Sequence, residues 1–519
     1  MNTAVLPAEA QEYIKNLEEK YQQAAAENKT WQIKYNALEA EYRLALFRKF
    51  GRSSERFDPN QQSLFDEQET PEAPAPPEET TEAIKSYSRK RPGRKPLDPK
   101  LPRKEIVIDI PDEEKTCNCG EKLTKIGEEV SEKLQVIPPQ IWVERTIRPK
   151  YACKACEGAG DEERPAVRVA PAPPAIIPHG IASASLLAFL LVNKYVDHLP
   201  FYRQEKQFER IGAQISRQNM SNWQRQVYEK LKYLFMLMKA HSKTGPVMRM
   251  DETTVQVMGE EGRSNTQKSY MWLARGGPPD TPVVLYQYRQ TRGSKHIHEF
   301  LEGFEGYLQT DGYKAYVTAV KDHPKVTLVG CFAHARRKFF EAAQVTKKTG
   351  SAEEGLKYIQ KLYSIERALR LRDLDDDAFI LERKKQVLPV LAKFKKWLEK
   401  KAVHTPPGVD LGKAVHYTLN QWDLLIAYLD SPFLTPDNNA SENAIRPFVL
   451  GRRNWLFSGS PRGAESSCGM YSLIETAKVN GLEPFKYLYH LFCKAPLAKT
   501  KEDWSALLPW NCKLEITDQ

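Results

Sequence analysis

The order of elements between residues 247 and 343 constrains the fold more than any other part of the chain. Residues 247–257 (VMRMDETTVQV), 268–274 (KSYMWLA) and 282–288 (PVVLYQY) have the pattern of β-strands, and the turns between them are rich in Gly and Pro. That is the pattern of three strands in an antiparallel meander. The period then changes: 294–303 reads as helix, 307–310 as a short strand closed by Asp311, 313–320 as helix, 326–332 as strand and 333–343 as helix. A meander followed by helix and strand in alternation is the order of a ribonuclease H-like α/β fold.

Carboxylates fall at informative places in that order. Asp251 sits mid-strand on the same face as Val247, Val255 and Val257, where a charged group is costly unless it is paired or bound to a metal. In such a fold Asp251 and Asp311 become neighbours at the end of the sheet where ligands gather. A third acid comes from 437–460 (DNNASENAIRPFVLGRRNWLFSGS). Asn439 followed three positions later by Glu442 reads as a helix start with the Glu in the first turn. Glu442 is then either a cap or a ligand, and Asp311 before Gly312 is either a turn residue or a ligand. Three oxygen donors with few His or Cys nearby suit Mg²⁺, or Mn²⁺ in its place. Two such ions about 4 Å apart serve phosphodiester displacement. Behind Glu442 stand Arg446, Arg452, Arg453 and Arg462 with Trp455 and Phe457 among them, cations and rings that fit a polyanion with bases to stack.

Charge agrees with such a partner. Lys and Arg number 77 against 67 Asp and Glu, a formal net charge of +10, which favours nucleic acid over an acidic small substrate. The N-terminus lacks the basic start and apolar run of a signal peptide, and the longest apolar run, 186–192 (LLAFLLV), is far too short to span a bilayer. The expectation is a cytosolic protein with no membrane partner.

The chain is long enough for several cores, and it divides by pattern. Ile14, Leu17, Tyr21, Ala24, Asn28, Trp31, Tyr35, Leu38 and Tyr42 step by three and four. This is a heptad seam that makes either a coiled coil, most simply a dimer, or a lone amphipathic helix. Asn28 at an a position can set register. Residues 43–57 turn basic, 58–105 is a Pro-rich charged linker, and 89–95 (RKRPGRK) fits either a minor groove or a basic linker. The pairs Cys117/Cys119 and Cys153/Cys156, spaced by strand-like residues such as 140–147, form either a structural Zn²⁺ site or four free thiols. Residues 201–210, a turn at Gly212 and a helix from 216 make a helix-turn-helix shape with Arg217, Gln218, Asn219, Asn222, Gln224 and Arg225 on its second helix. That piece either reads DNA or is a packed hairpin. Residues 345–435 are Leu-, Lys- and Glu-rich helix.

The expected architecture is a multidomain α+β chain. It has a coiled coil and basic helical region (1–57), the linker (58–105), a cysteine-knuckle, zinc-binding-like domain (106–170) and a helical DNA-binding segment (180–243). A ribonuclease H-like catalytic core (244–344 and 436–470) carries a helical insertion (345–435), and a C-terminal region (471–519) follows.

The stretches MDETTVQV, LQTDGYKAY, CFAHARRKF and DNNASENAIRPFVLGRRNWLFSGS resemble the catalytic motifs of bacterial DDE transposases of the insertion sequence 66 family, and the likeness covers nearly the whole chain. The resemblance implies that Asp251, Asp311 and Glu442 are the metal-binding acids and that His334, Arg336 and Arg337 line the site. It further implies cleavage and joining of DNA at the ends of a mobile element by a dimer or higher oligomer, with or without accessory proteins of that element. The family's first knuckle is CxxC, and here Thr116 stands where its first cysteine falls. Two other readings share these residues: an end-binding scaffold that does not cut, and a nuclease of the same fold that does not join.

Overall fold

The computed structural model describes residues 140–152, 167–345 and 350–514, with Glu105 and scattered positions between Glu12 and Tyr42. The basic stretch 43–57, the linker apart from Glu105, and Cys117, Cys119, Cys153 and Cys156 lie outside the described residues. Tyr21, Ala24, Asn28, Trp31, Tyr35, Leu38 and Tyr42 are all helical and exposed.

The chain divides into two compact units, Phe65–Ile147 and the remainder. In the first, residues 140–147 form no strand, contrary to expectation, and Ile141, Trp142, Val143 and Ile147 are exposed. Alternation alone makes no strand unless a neighbour takes up its backbone groups. Pairing begins in the second unit, where β1 (Lys150–Ala152) lies antiparallel to β2 (Val167–Val169).

Helices Ala184–Tyr195, Phe201–Arg210, Arg217–Lys230 and Lys232–His241 follow. Ser183 and Ser216 cap two of them by accepting from the backbone N–H groups of Leu186 and Asn219. The hairpin turn falls at Gly212, with φ +85°, a left-handed conformation that glycine adopts without strain. One correction concerns Gln224. Together with Met220, Trp223 and Val227 it faces inward, where it donates to Ser466 Oγ (2.8 Å) and accepts from the Tyr195 hydroxyl (2.7 Å). Arg217, Gln218 and Asn219 are exposed.

The main sheet runs β5-β4-β3-β6-β7. It is built from β3 (Val247–Val257), β4 (Lys268–Gly276), β5 (Val283–Arg289), β6 (Gly306–Gln309) and β7 (Val326–Val329). β3, β4 and β5 are antiparallel neighbours, whereas β6 lies parallel to both β3 and β7. β8 (Phe457–Ser458) adds a short parallel pairing at the end of β3. On one face Met248, Met250, Trp272 and Ala274 pack against Ile297, Phe300, Tyr316 and Ala319 from helices Ser294–Leu301 and Lys314–Val320. On the other, Val255, Met271 and Leu273 meet Phe448, Met470 and Ile474 from helices Asn439–Trp455 and Pro461–Val479.

Helix Pro461–Val479 runs across the expected boundary at residue 470, because it covers the free edge of β5. Its Ser472 and Thr476 hydroxyls accept from the N–H groups of Tyr286 (2.8 Å) and Val284 (3.0 Å), so edge groups that would otherwise be open are satisfied. β7 stops at Val329, short of the expected residue 332. There the Gly330 N–H turns to the Leu424 carbonyl (2.8 Å) and the Phe332 N–H to that of Pro436 (2.9 Å).

Residues after 345 form helices Ser351–Arg370, Asp376–His404 and Asp410–Asn420, which share a core of Phe339, Leu362, Val387, Phe394 and Trp397. At its centre Arg383, fully buried, pairs with Glu366 (2.7 Å) and donates to the carbonyls of Tyr428, Ser431 and Leu434. These helices therefore hold the segment that leads into helix Asn439–Trp455.

Candidate active site

Three elements bring acids together. Asp251 lies on β3, beside β6 on one side and β4 on the other. Its Oδ1 accepts from the Glu252 N–H (2.8 Å). Burial, followed by the negative charges of Glu252, Glu442 and Asp311, raises its pKa from 3.8 to about 7. Asp311 follows β6. Its Oδ1 accepts from the Tyr313 N–H (2.9 Å) across Gly312, whose φ is +82°, and its carbonyl accepts from the Tyr417 hydroxyl (3.0 Å). The turn and the acid are thus one feature, since a tight left-handed turn fixes where the carboxylate points.

Glu442 lies in the first turn of helix Asn439–Trp455. The cap expected from Asn439 is not made. The helix begins one residue earlier, with Asn438 at the N-cap and no side-chain cap bond. Asn438 is committed elsewhere: its Nδ2 donates to the Met250 carbonyl (3.0 Å), and its backbone N–H donates to Cys331 Sγ (3.2 Å). Asn439 donates to Asp437 instead (2.9 Å). Relieved of capping, the Glu442 carboxylate faces His334 Nδ1 and Arg337 Nη2, each 3.8 Å away. Glu442 Oε1 and His334 Nδ1 are buried and have no hydrogen-bond partner among the described residues. Burial lowers the His334 pKa, against the pull of Glu442 and Asp311, which favours the neutral ring.

The expected cationic residues separate by environment. Arg446, Arg453, Arg462 and Arg337 are exposed and Arg336 is half-buried. Arg452 turns inward and donates to the hydroxyls of Thr253 and Thr254 (3.2 Å each), tying its helix to β3. Trp455 packs edge-on against Phe448, with ring centroids 5.4 Å apart, and Phe457 is the more exposed ring.

Sequence reasoning missed four neighbours. Glu252 is buried and bonded by the Tyr316 hydroxyl and by Arg292. Arg292 reaches to 3.7 Å from Asp311 Oδ2 and lies 3.8 Å over the Tyr313 ring. Cys331 completes the surroundings of Glu442. Glu252 carried a signal in its adjacency to Asp251, and Cys331 in its i, i+3 spacing from His334 within CFAHARRKF; Arg292 and Tyr316 come from a loop and a helix with no spacing to reveal them.

A buried acid opposed by three like charges suits a site where a hard divalent cation would offset them; among the described residues, the ligand atoms that lie within 4.8 Å of one another are those of Cys331, His334 and Glu442, and the three acids do not form such a group. Residues 179–466, more than half of the chain, match the family described as Transposase IS66 family.

The chain belongs to the IS66 transposase family.

Further matches fall on other parts of this IS66 chain. They are the zinc-finger binding domain of transposase IS66 at 114–157, the IS66 C-terminal element at 472–510, and Transposase C of IS166 homeodomain at 37–106. Two relatives are proteins of Sinorhizobium fredii. Uncharacterized protein y4jD is 33% identical over 432 residues, covering 81% of this chain and 82% of its own. Uncharacterized protein y4hP is 30% identical over 456 residues, covering 83% of this chain and 79% of its own. Membership makes DNA the partner and gives the 114–157 segment a zinc-finger character. Among the described residues, no helix is long and apolar enough to cross a membrane.

Proposed function

We propose that this chain cuts and joins DNA at the ends of its own mobile element, in a ribonuclease H-like core, with Asp251, Asp311 and Glu442 as the metal-binding acids. The observation that carries the reading is the match of residues 179–466 to the IS66 transposase family; the convergence on Asp251 of charge from Asp311 and Glu442, which come from separate parts of the chain, supports it. The strand order, with β3–β4 and β4–β5 antiparallel and β3–β6 and β6–β7 parallel, supports the fold assignment.

Two Mg²⁺ ions, or Mn²⁺, held by these acids would supply activation of the attacking oxygen and stabilisation of the leaving one. The chain's own residues supply position. The turn at Gly312 aims Asp311, the Asn438 amide anchors the start of the Glu442 helix to β3, and Arg292 with the Tyr316 hydroxyl holds the Glu252 carboxylate in place beside Asp251. Exposed Arg446, Arg453 and Arg462, with Arg336 and Arg337 nearer the acids, bind the phosphate backbone. Arg217 and Asn219 contact DNA from the helical hairpin. Cys117, Cys119, Cys153 and Cys156 hold one structural Zn²⁺, and the heptad helix pairs two copies.

The test is Mg²⁺-dependent cleavage of DNA carrying the element's ends, native against Glu442→Gln. Native protein cuts and joins, while the variant binds equally and does not cut. Binding by both without cutting by either makes the chain a scaffold, and cutting without joined products makes it a nuclease.

A further inference from the structure

We propose a second metal site beside the first, built on sulfur: Cys331 Sγ, a ring nitrogen of His334 and a carboxylate oxygen of Glu442 take one thiophilic divalent cation of the Zn²⁺ or Cd²⁺ class. One ligand atom from each lies within 4.8 Å of the others. Cys331 stands immediately before helix Phe332–Val345 and His334 is in its first turn, so an i, i+3 spacing puts both on one side. Glu442 arrives from the start of a different helix, and two unrelated segments converge on the point.

The surroundings favour coordination. His334 Nδ1 and Glu442 Oε1 face each other at 3.8 Å, both buried and without a hydrogen-bond partner among the described residues. That span is too long for a hydrogen bond and comparable with two ligands across one ion, given metal–ligand bonds of about 2.0–2.2 Å. Cys331 is 1% exposed. The backbone N–H of Asn438 points at its sulfur (3.2 Å), at a helix N-terminus where partial positive charge favours a thiolate. Burial pushes the free thiol's pKa up, so the thiolate forms when the ion binds. The S–H proton leaves to solvent and the sulfur lone pair goes to the metal, with no change in oxidation state. Thiolate with imidazole selects a soft or borderline ion over Mg²⁺.

Glu442 belongs to both sites, so a thiophilic ion here withdraws an oxygen that Mg²⁺ needs and inhibits cleavage. That consequence rests on the function proposed above; binding of the ion does not.

The full chain is titrated with Cd²⁺ in the absence of DNA, following thiolate-to-cadmium absorption and bound Cd²⁺ by equilibrium dialysis. Native protein, Cys331→Ser and His334→Ala are compared, all with the same four knuckle cysteines, after thermal unfolding has shown each to be folded. Native protein binds one equivalent more than either variant, and Glu442→Gln weakens that equivalent by about tenfold or more. Equal stoichiometry and absorption in native protein and the folded variants overturn the site. Should Cys331→Ser not fold, His334→Ala, at a half-buried helical position, carries the comparison. Cleavage in Mg²⁺ alone is run in parallel. A chain that binds the extra Cd²⁺ but never cuts keeps this site and loses the function proposed above; one that cuts but shows no extra Cd²⁺ does the reverse.

Discussion

At Asp251 the fold holds a carboxyl where burial and three neighbouring acids oppose its charge. The effect on stability follows from linkage. Below about pH 4 the group is neutral in both folded and unfolded chains and costs nothing. Between about 4 and 7 the unfolded chain has released its proton while the folded chain keeps it, so stability falls as pH rises; above 7 the full cost stands, at most about 4 kcal/mol. Metal-free Asp251→Asn is therefore more stable than native protein, by a margin that grows from pH 4 to 7 and then levels, measured by urea denaturation across that range. The same variant does not cut DNA. Mg²⁺ must displace the proton, so its affinity for native protein falls about tenfold per pH unit below 7, which calorimetric titration checks. That Asp251 matters was legible in a carboxylate set mid-strand among apolar residues. That Arg292 and Tyr316 would hold its neighbour Glu252 was not, because no local pattern links residues 252, 292 and 316.

Periodicity located most elements. The stretch 247–257 is a strand with the bounds read from its alternation, and the strand-helix alternation after it appears in the expected order. Periodicity failed where tertiary partners decided the outcome: 140–147 has the pattern of a strand but pairs with no strand among the described residues, and β7 ends early because the chain turns toward residues 424 and 436. The insertion shows how one element governs another. Arg383 bonds three carbonyls between residues 428 and 434 while paired to buried Glu366. Arg370 adds bonds to the carbonyls of Pro432 and Leu434. Arg383→Ala leaves Glu366 paired with Arg370 alone (2.9 Å) and takes the donor from the buried carbonyls of Tyr428, Ser431 and Leu434, at a cost of about 3–5 kcal/mol, read from the shift in urea midpoint at unchanged slope. Cleavage falls further than that loss of folded protein explains, since the segment leading to Glu442 loosens.

For the whole molecule, the exposed helical stripe of Tyr21, Trp31, Tyr35, Leu38 and Tyr42 is apolar surface that a second copy of the chain would bury. The expected state in solution is a dimer or larger, and Trp31→Asp with Leu38→Asp shifts it to monomer in sedimentation equilibrium. Because that helix is remote in sequence from the acids, the monomer keeps its Mg²⁺ affinity while losing paired-end cleavage.

The sequence by itself determined the alternation of strand and helix, the placing of Asp251 within the first strand and of Asp311 at the end of the fourth, and the amphipathic stripe, because each rests on spacing within one segment. Only the tertiary structure decided that Asn438 anchors β3 instead of capping, that Gln224, Arg452 and Trp455 turn inward, and that Cys331 and His334 meet Glu442. Those outcomes depend on which buried donors find acceptors across hundreds of residues, and a hydrogen bond or ion pair between distant segments leaves no periodic trace in either one.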